Sequence, residues 1–235
     1  MFDNIMAMSV LAGFCTTVGA MLLFIKRNWS NRSLAVFLGL ASGVMVAVVV
    51  FDMMPSALLS HYQAALLGVL LGITAIWICD RWLRQWMNGP ETLLGLGYLI
   101  MLGIALHDLP EGMAIAMGGE LKARTGMVIA LAIAIHNIPE GMAIAAPLLM
   151  GGQRRQRILL QTAAVGLITP LGTALGKLTV AVVPTLLPWL LGFASGIMLY
   201  LVTFQLWPQA IQKGPRSRWL GFCLGLLIIA LATFI

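Results

Sequence analysis

The chain has 235 residues, of which 60% are hydrophobic and 9% are charged, and its mean hydropathy is +0.98. Because a soluble domain carries about 25% charged residues, this composition excludes an ordinary soluble protein and predicts one that is solvated by lipid. The formal net charge of +6 does not indicate a nucleic-acid partner, because the basic residues alternate between loops in the way that membrane topology requires.

Apolar runs of about 20 residues predict an all-α integral membrane protein with eight transmembrane helices. The eight predicted spans lie near 5–25, 34–59, 64–79, 93–118, 127–150, 158–182, 186–211 and 219–235. The first is followed directly by Lys26 and Arg27, so it is expected to be a retained span and not a cleaved signal peptide. Since every connection is short, residues 1–235 are expected to form a single transmembrane domain.

The basic residues predict the orientation of these spans. Lys and Arg are enriched in cytoplasmic loops, so the loops that follow spans 1, 3, 5 and 7 are predicted to be cytoplasmic, with both termini outside. Eleven of the 14 basic residues lie in these loops: Lys26, Arg27, Arg32, Arg81, Arg84, Arg154, Arg155, Arg157, Lys213, Arg216 and Arg218.

Two segments of the chain are repeated. The segment ASGVMVAVVVFDMMPSAL (41–58) matches ASGIMLYLVTFQLWPQAI (194–211) after 153 positions, and HDLPEGMAIA (107–116) matches HNIPEGMAIA (136–145) after 29. In the predicted topology the members of each pair run antiparallel. The pattern indicates inverted repeats, with spans 1–3 related to 6–8 and spans 4 and 5 related to each other, as in many secondary transporters. Chance similarity between helices rich in Gly, Ala and Met is the alternative.

Ionisable residues are concentrated well inside the predicted spans. A charged side chain at mid-bilayer costs about 2.5–3.5 kcal/mol on the insertion scale, so such residues face the bundle interior and pair with one another, relay protons or hold a cation. Helix periodicity places Glu111 between His107 and Asp108, and Glu140 between His136 and Asn137. Asp52 is the other acidic residue well inside a span.

The two hexapeptides HDLPEG and HNIPEG flank a predicted hairpin near 119–125. They should therefore reach the same depth and bring two imidazoles together with two or three carboxylates. Pro110 and Pro139 each lack a backbone N–H, and with the glycines that follow they are expected to open both helices. Imidazole with carboxylate suits Zn²⁺, Fe²⁺, Co²⁺ or Mn²⁺, with zinc the leading candidate. Alternatively, His and Glu only hydrogen-bond across the hairpin to stabilise the bundle.

Other residues are weaker candidates. Met45 in span 2 is a candidate soft ligand, and His61 at the outer end of the same span is expected to be an interfacial residue or to take part in ion capture. Cys15, Cys79 and Cys223 lie singly in apolar segments without C-x-x-C spacing. They are interpreted as small hydrophobic residues.

The HDLPEG and HNIPEG pair closely resembles the signature of the ZIP family of divalent metal transporters. Residues 41–58, GLITPLGTALG (166–176) and 194–210 are similar to spans 2, 6 and 7 of its bacterial branch. The resemblance implies eight spans with both ends outside, and import of Zn²⁺, Fe²⁺, Mn²⁺, Co²⁺ or Cd²⁺ as the transported substrate across the cytoplasmic membrane. It also implies a homodimer.

The resemblance further implies a binuclear metal site between spans 4 and 5. The transport-site ligands would be His107, Glu111, His136, Glu140 and Met45. The neighbouring site would use Asp108, Glu111, Asn137 and Glu140, and Asp52 and His61 would lie toward the outer entrance.

The sequence also departs from the family pattern. Thr169, Gln205 and Gln209 stand where acidic residues are common in the family. These substitutions leave open whether the second metal site functions and how the inward exit is built, and Gln205 is retained as a pathway residue.

The sequence leaves two alternatives to metal import by a single transmembrane transporter domain. An intramembrane metal-dependent hydrolase would normally need an H-E-x-x-H motif or a comparable base, and the sequence has neither, so no enzymatic activity is expected. A proton-linked transporter of an organic solute would use the same carboxylates as a proton relay.

Overall fold

The computed structural model describes residues 2–26, 28–86, 92–180, 184–214 and 216–234, and within these ranges the regular secondary structure is entirely helical. The α-helices are α1 (Phe2–Leu22), α2 (Asn31–Val48), α3 (Met54–Trp86), α4 (Leu93–Leu121), α5 (Ala123–Met150), α6 (Arg155–Gly166), α7 (Ile168–Val180), α8 (Leu187–Tyr200), α9 (Trp207–Lys213) and α10 (Ser217–Phe234). Short π-helices, Val49–Met53 and Leu201–Leu206, precede α3 and α9, and 3₁₀-helices cover Leu23–Ile25 and Pro184–Leu186. The predicted all-α class is confirmed.

Six helical segments are long and apolar enough to cross a bilayer, which confirms a multi-pass membrane protein. They are Asn4–Ile25, Asn31–Gln85, Leu93–Glu120, Arg124–Met150, Arg155–Thr179 and Leu187–Lys213, with Ser217–Thr233 as a shorter apolar helix. The second segment has 55 residues, about 80 Å of helix, which exceeds twice the thickness of a hydrocarbon core of about 30 Å. His61 interrupts it with an extended backbone (φ −161°, ψ 93°).

Two predicted boundaries differ from the structure. The third predicted span ends near residue 79, whereas α3 continues to Trp86. Asp80 and Arg84 therefore lie on a helix, four residues apart and joined by an ion pair of 2.7 Å. The sixth predicted span consists of two helices, α6 and α7, that meet at Leu167.

The larger of two apolar clusters forms the core between α2, α4, α5 and α8. Its fully buried large side chains include Leu34, Leu38, Met45, Ile100, Ile104, Ile144, Leu148 and Ile197. This core fixes α4 and α5, which carry the two hexapeptides, against α2 and α8, which carry the longer sequence repeat.

Two helix pairs, α2 with α10 and α3 with α8, pack through equivalent glycines. A methyl group at Gly43 of α2 would overlap the backbone carbonyl of Phe222 in α10, and one at Gly196 of α8 would overlap that of Val69 in α3. Gly196 follows Gly43 by 153 residues, and Phe222 follows Val69 by the same number. The two residues of one contact are thus each separated by 153 positions from a residue of the other contact, which is the separation of the longer sequence repeat.

A second set of contacts has the same regularity. Gly141 of α5 lies against the backbone carbonyl of Thr16 in α1, and Gly112 of α4 lies against that of Thr169 in α7. The glycines are 29 residues apart and the threonines are 153 residues apart. These two equivalent contacts therefore combine both sequence repeats: the glycines come from the shorter repeat, and the threonines have the separation of the longer one.

These four helix pairs run parallel, because in each pair later residues of one helix contact later residues of the other. The contacts of α3 with α8 proceed from Ala65 with Gly192 to Val69 with Gly196. Those of α1 with α5 proceed from a hydrogen bond between Ala12 and Asn137 to the contact of Thr16 with Gly141. The same order holds for α2 with α10 and for α4 with α7.

Candidate metal centre

The polar residues of the two hexapeptides meet inside the bundle. Helix α4 ends at Leu121 and α5 begins at Ala123, with Lys122 between them in an extended conformation (φ −154°, ψ 134°). The two helices form a tight hairpin and pack against each other. Six side chains, each at most 3% exposed, are buried there: His107, Asp108, Glu111, His136, Asn137 and Glu140.

Each imidazole faces a carboxylate from the other helix. The distance between His107 Nε2 and Glu140 Oε1 is 3.3 Å, and that between His136 Nε2 and Glu111 Oε2 is 3.1 Å. The contacts are therefore reciprocal across the hairpin, which follows from the matching positions of the two motifs. Asp108 Oδ1 lies 3.6 Å from His107 Nε2 as well.

The other nitrogen of His107 fixes the orientation of this ring. Its Nδ1 lies 3.0 Å from the carbonyl oxygen of Gly103, and since a carbonyl only accepts hydrogen bonds, Nδ1 carries the proton. In the neutral ring Nε2 then presents a lone pair to the carboxylates of Glu140 and Asp108. Such an arrangement of facing lone pairs is stabilised only by a proton or a cation between them.

Two of the three separations, those of His107 Nε2 from Glu140 Oε1 and from Asp108 Oδ1, agree with the distance between two ligands of one metal ion. Tetrahedral zinc with bonds of about 2.0–2.2 Å has ligand atoms about 3.3–3.6 Å apart, whereas charge-assisted hydrogen bonds measure about 2.7–2.9 Å. The observed distances of 3.1, 3.3 and 3.6 Å lie at or above the upper end of the hydrogen-bond range. Ligand atoms of His107, Asp108 and Glu111 also lie within 4.8 Å of one another.

Several buried oxygen atoms of the site lack a hydrogen-bond partner among the described residues. They are Asp108 Oδ1 and Oδ2, Glu111 Oε1, Glu140 Oε2 and Asn137 Oδ1. Asn137 Nδ2 donates to the carbonyl of Ala12 at 2.9 Å, which leaves Oδ1 as the atom available to a ligand. Buried carboxylate oxygens are costly unless they are paired or coordinate a cation. This set of donors therefore fits a divalent cation.

The prolines do not open the helices, so that expectation is wrong. Helices α4 and α5 continue through Pro110 and Pro139, each of which removes one backbone hydrogen bond of its helix. Thr173 of α7 donates to the carbonyl of Gly112 at 3.0 Å. Gly112 and Gly141 serve instead as the points where α7 and α1 approach the site.

Two further residues lie on helices that pack around the hexapeptides. Met45 is fully buried in the apolar cluster that α2 shares with α4 and α5. Thr169, on α7, is fully buried and its hydroxyl has no hydrogen-bond partner within the described ranges. Its backbone carbonyl lies against Gly112, one residue after Glu111.

Asp52 lies close to the hexapeptides. It lines a cavity of about 180 Å³ together with Ser56 and Ala114. It also lines a smaller cavity of about 30 Å³ whose wall includes Glu111 and His136. Asp52 and Ala114 border both cavities, so the two cavities are neighbours, and the smaller one adjoins Glu111 and His136.

His61 lies outside the residues that line these cavities. Its Nδ1 accepts a hydrogen bond of 3.2 Å from the backbone N–H of Ala64. The imidazole therefore caps the helical segment that resumes after the interruption at residue 61.

Gln205 belongs to a separate buried cluster around Asp80, which is 4% exposed. Its Nε2 donates to Asp80 Oδ2 at 3.0 Å, and the Tyr200 hydroxyl donates to the same oxygen at 2.7 Å. Arg84 Nε donates to Oδ1 at 2.7 Å. Sequence reasoning missed Asp80 because the predicted third span ended before it, although the Asp80 and Arg84 spacing is that of a helical ion pair.

Comparison with known proteins identifies the family of the chain. The family model described as ZIP Zinc transporter matches residues 90–233. Over 225 residues the chain is 31% identical to "Zinc transporter ZupT" of Escherichia coli O127:H6 (strain E2348/69 / EPEC), which covers 89% of this chain and 88% of that protein. The protein of the same name from Escherichia coli O7:K1 (strain IAI39 / ExPEC) is 30% identical with the same coverage. The chain therefore belongs to the ZIP family of zinc transporters.

Proposed function

We propose that this protein is a secondary transporter that carries Zn²⁺, or a similar divalent ion such as Fe²⁺, Mn²⁺, Co²⁺ or Cd²⁺, into the cytoplasm. The observation that carries the proposal is the reciprocal pairing of two buried imidazoles with two buried carboxylates across the hairpin, beside carboxylate oxygens that lack partners among the described residues. The named zinc transporters among its relatives support the same substrate class. Membership of a transporter family argues against the hydrolase alternative.

In the proposed mechanism a hydrated ion passes Asp52 and the two cavities it lines. The ion exchanges water for Nε2 of His107 and His136 and for carboxylate oxygens of Glu111 and Glu140. Met45 would add a soft ligand from α2. The oxygens of Asp108 and Asn137, which lack other partners among the described residues, would add hard ligands on the neighbouring side.

The proposed topology has eight spans with both termini outside the cytoplasmic membrane. The short part of α3 before His61 completes the span begun by α2, and the longer part after His61 forms the next span. In a chain that crosses eight times, spans of equal parity run parallel. The four parallel helix pairs, α1 with α5, α2 with α10, α3 with α8 and α4 with α7, meet that requirement.

The inverted repeat is supported by the packing of the glycines. If spans 1–3 are related to spans 6–8, then α2 corresponds to α8 and α3 corresponds to α10. This correspondence explains why the contact of Gly43 with Phe222 recurs as the contact of Gly196 with Val69, with both residues displaced by 153 positions. Relating spans 4 and 5 explains the shift of 29 residues between Gly112 and Gly141. Release into the cytoplasm would follow when the group of spans 1, 4, 5 and 6 shifts against the rest.

Labelling of single cysteines tests the topology. In a background with Cys15, Cys79 and Cys223 replaced by Ala, a membrane-impermeant maleimide added to intact cells is expected to label His61→Cys but not Arg157→Cys. Both residues are exposed, so lysed cells provide the control in which both react. Labelling of both or neither position in intact cells would contradict eight spans with this orientation.

Uptake into proteoliposomes tests the function. Radioactive zinc uptake should saturate and be reduced by Fe²⁺, Mn²⁺, Co²⁺ or Cd²⁺, while equal concentrations of Mg²⁺ or Ca²⁺, which prefer all-oxygen sites, should compete weakly. Flux of an organic solute driven by a proton gradient, without metal flux, would instead establish the proton-linked alternative.

A further inference from the structure

We propose that the loop between α1 and α2 and the loop between α5 and α6 together form a binding site for the phosphate headgroup of an anionic phospholipid. This site lies at the opposite end of α5 from the loop that joins it to α4. The proposal goes beyond the proposed transport function and does not depend on it, because lipid binding is measured without metal.

The two loops concentrate positive charge without acidic neighbours in sequence. Residues 26–32 contain Lys26, Arg27 and Arg32, and residues 154–157 contain Arg154, Arg155 and Arg157. No acidic residue occurs from residue 4 to 51 or after residue 140. Lys26, Arg154, Arg155 and Arg157 are all exposed, so their charges are available to a ligand.

Direct contacts hold the two loops together. Arg155 Nη2 donates to the backbone carbonyl of Lys26 at 3.3 Å, and the Arg155 guanidinium lies 5.4 Å from the ring centroid of Phe24. The Lys26 ammonium lies 5.3 Å from the ring centroid of Trp29, whose Nε1 donates to the carbonyl of Leu23 at 2.8 Å. The cations are thus positioned over two aromatic rings, and the ring of Trp29 is fixed by its own hydrogen bond.

A cavity of about 300 Å³ opens beside these cations, lined by Asn28, Trp29, Leu149 and Met150. This volume is at the lower end of the range for small-ligand pockets, about 300–1,000 Å³. Its wall is polar at Asn28 and apolar at Leu149 and Met150, near the end of a membrane-crossing helix. Such a wall matches the junction of a headgroup with its acyl chains better than it matches a free anion.

The chemistry favours an anionic lipid over a zwitterionic one. Lys and Arg next to a membrane surface each contribute roughly fivefold to binding of anionic lipids, and basic pockets between transmembrane helices bind their headgroups. Trp at the interface anchors a helix end at headgroup level. Phosphatidylglycerol supplies one phosphate, and its glycerol hydroxyls match the polar side chain of Asn28.

The experiment titrates the full-length protein in neutral detergent with phosphatidylglycerol and counts retained lipid by native mass spectrometry. Lys26→Gln with Arg155→Gln is expected to weaken apparent affinity roughly 10- to 30-fold. The matched control, Lys213→Gln with Arg216→Gln, removes the same charge from another loop and should change it less than about twofold. Asn28→Trp fills the cavity at unchanged charge and should also abolish retention, which keeps the test valid if the first variant folds poorly.

Four outcomes would overturn the proposal. Equal losses of phosphatidylglycerol affinity in the two charge variants would show that the lipid responds only to the general surface charge of the protein. Equal retention of phosphatidylcholine, or undiminished retention by Asn28→Trp, would exclude a headgroup site in this cavity. Complete displacement of the lipid by millimolar inorganic phosphate would identify a site for a free anion instead.

Discussion

Glu140→Gln is expected to lower the rate of zinc uptake at least about 100-fold while the protein stays folded. Glu140 Oε1 lies 3.3 Å from His107 Nε2 and Oε2 has no hydrogen-bond partner among the described residues, and in the proposed site this carboxylate is a metal ligand. The amide keeps the shape but loses the charge that balances the ion. Even the replacement of a residue that only supports a metal ligand typically lowers metal affinity or activity 10- to 100-fold.

Glu120→Gln is the matched control for this variant. Glu120 is exposed near the end of α4, so its neutralisation should leave zinc uptake within about twofold of the unmodified protein. The measurement is the initial rate of radioactive zinc uptake into proteoliposomes, with folding checked by gel filtration. Unchanged uptake in Glu140→Gln would contradict the assignment of the site.

Asp80→Ala is expected to destabilise the protein by about 2–4 kcal/mol, since it leaves buried donors without their acceptor. Asp80 accepts hydrogen bonds from Tyr200, Gln205 and Arg84, which join α3 to α8 and to the π-helix Leu201–Leu206. Thermal unfolding in detergent should show a lower midpoint than for the unmodified protein.

Tyr200→Phe removes one donor of the same cluster and retains the carboxylate. The expected loss is about 1–2 kcal/mol, smaller than for Asp80→Ala, because only one hydrogen bond to a charged group is lost. Equal midpoints for Asp80→Ala and the unmodified protein would show that the cluster contributes nothing to stability.

The residues of the candidate metal centre could be selected from the sequence because their signal is local. Buried charge in an apolar span needs compensation, and the helical period alone places Glu111 between His107 and Asp108. The duplicated motif then implied the hairpin that brings the two sets together. In the structure all six hexapeptide residues are buried side by side.

The Asp80 cluster could not be predicted because its members are far apart in sequence. The partners Tyr200 and Gln205 lie 120 and 125 residues away, and hydropathy averaging ended the span before Asp80. The π-helices that carry Asp52 and Gln205 are equally invisible to composition, since an extra residue in one turn leaves no compositional mark.

The two copies of the longer repeat differ in the side chain at one equivalent position and in the contacts that it makes. Asp52 and Gln205 occupy equivalent positions 153 residues apart, and each lies in a π-helix. Asp52 lines the cavities next to Glu111 and His136, whereas Gln205 is bonded to Asp80. Similar backbones therefore carry different side-chain chemistry on the two halves.

The most direct test of the central claim is the zinc K-edge X-ray absorption spectrum of the zinc-loaded protein. A metal held between α4 and α5 predicts nitrogen and oxygen ligands at about 2.0–2.2 Å, with imidazole scattering that disappears in His107→Gln with His136→Gln. An imidazole signal that survives in this double variant would contradict the claim that these two histidines hold the transported ion.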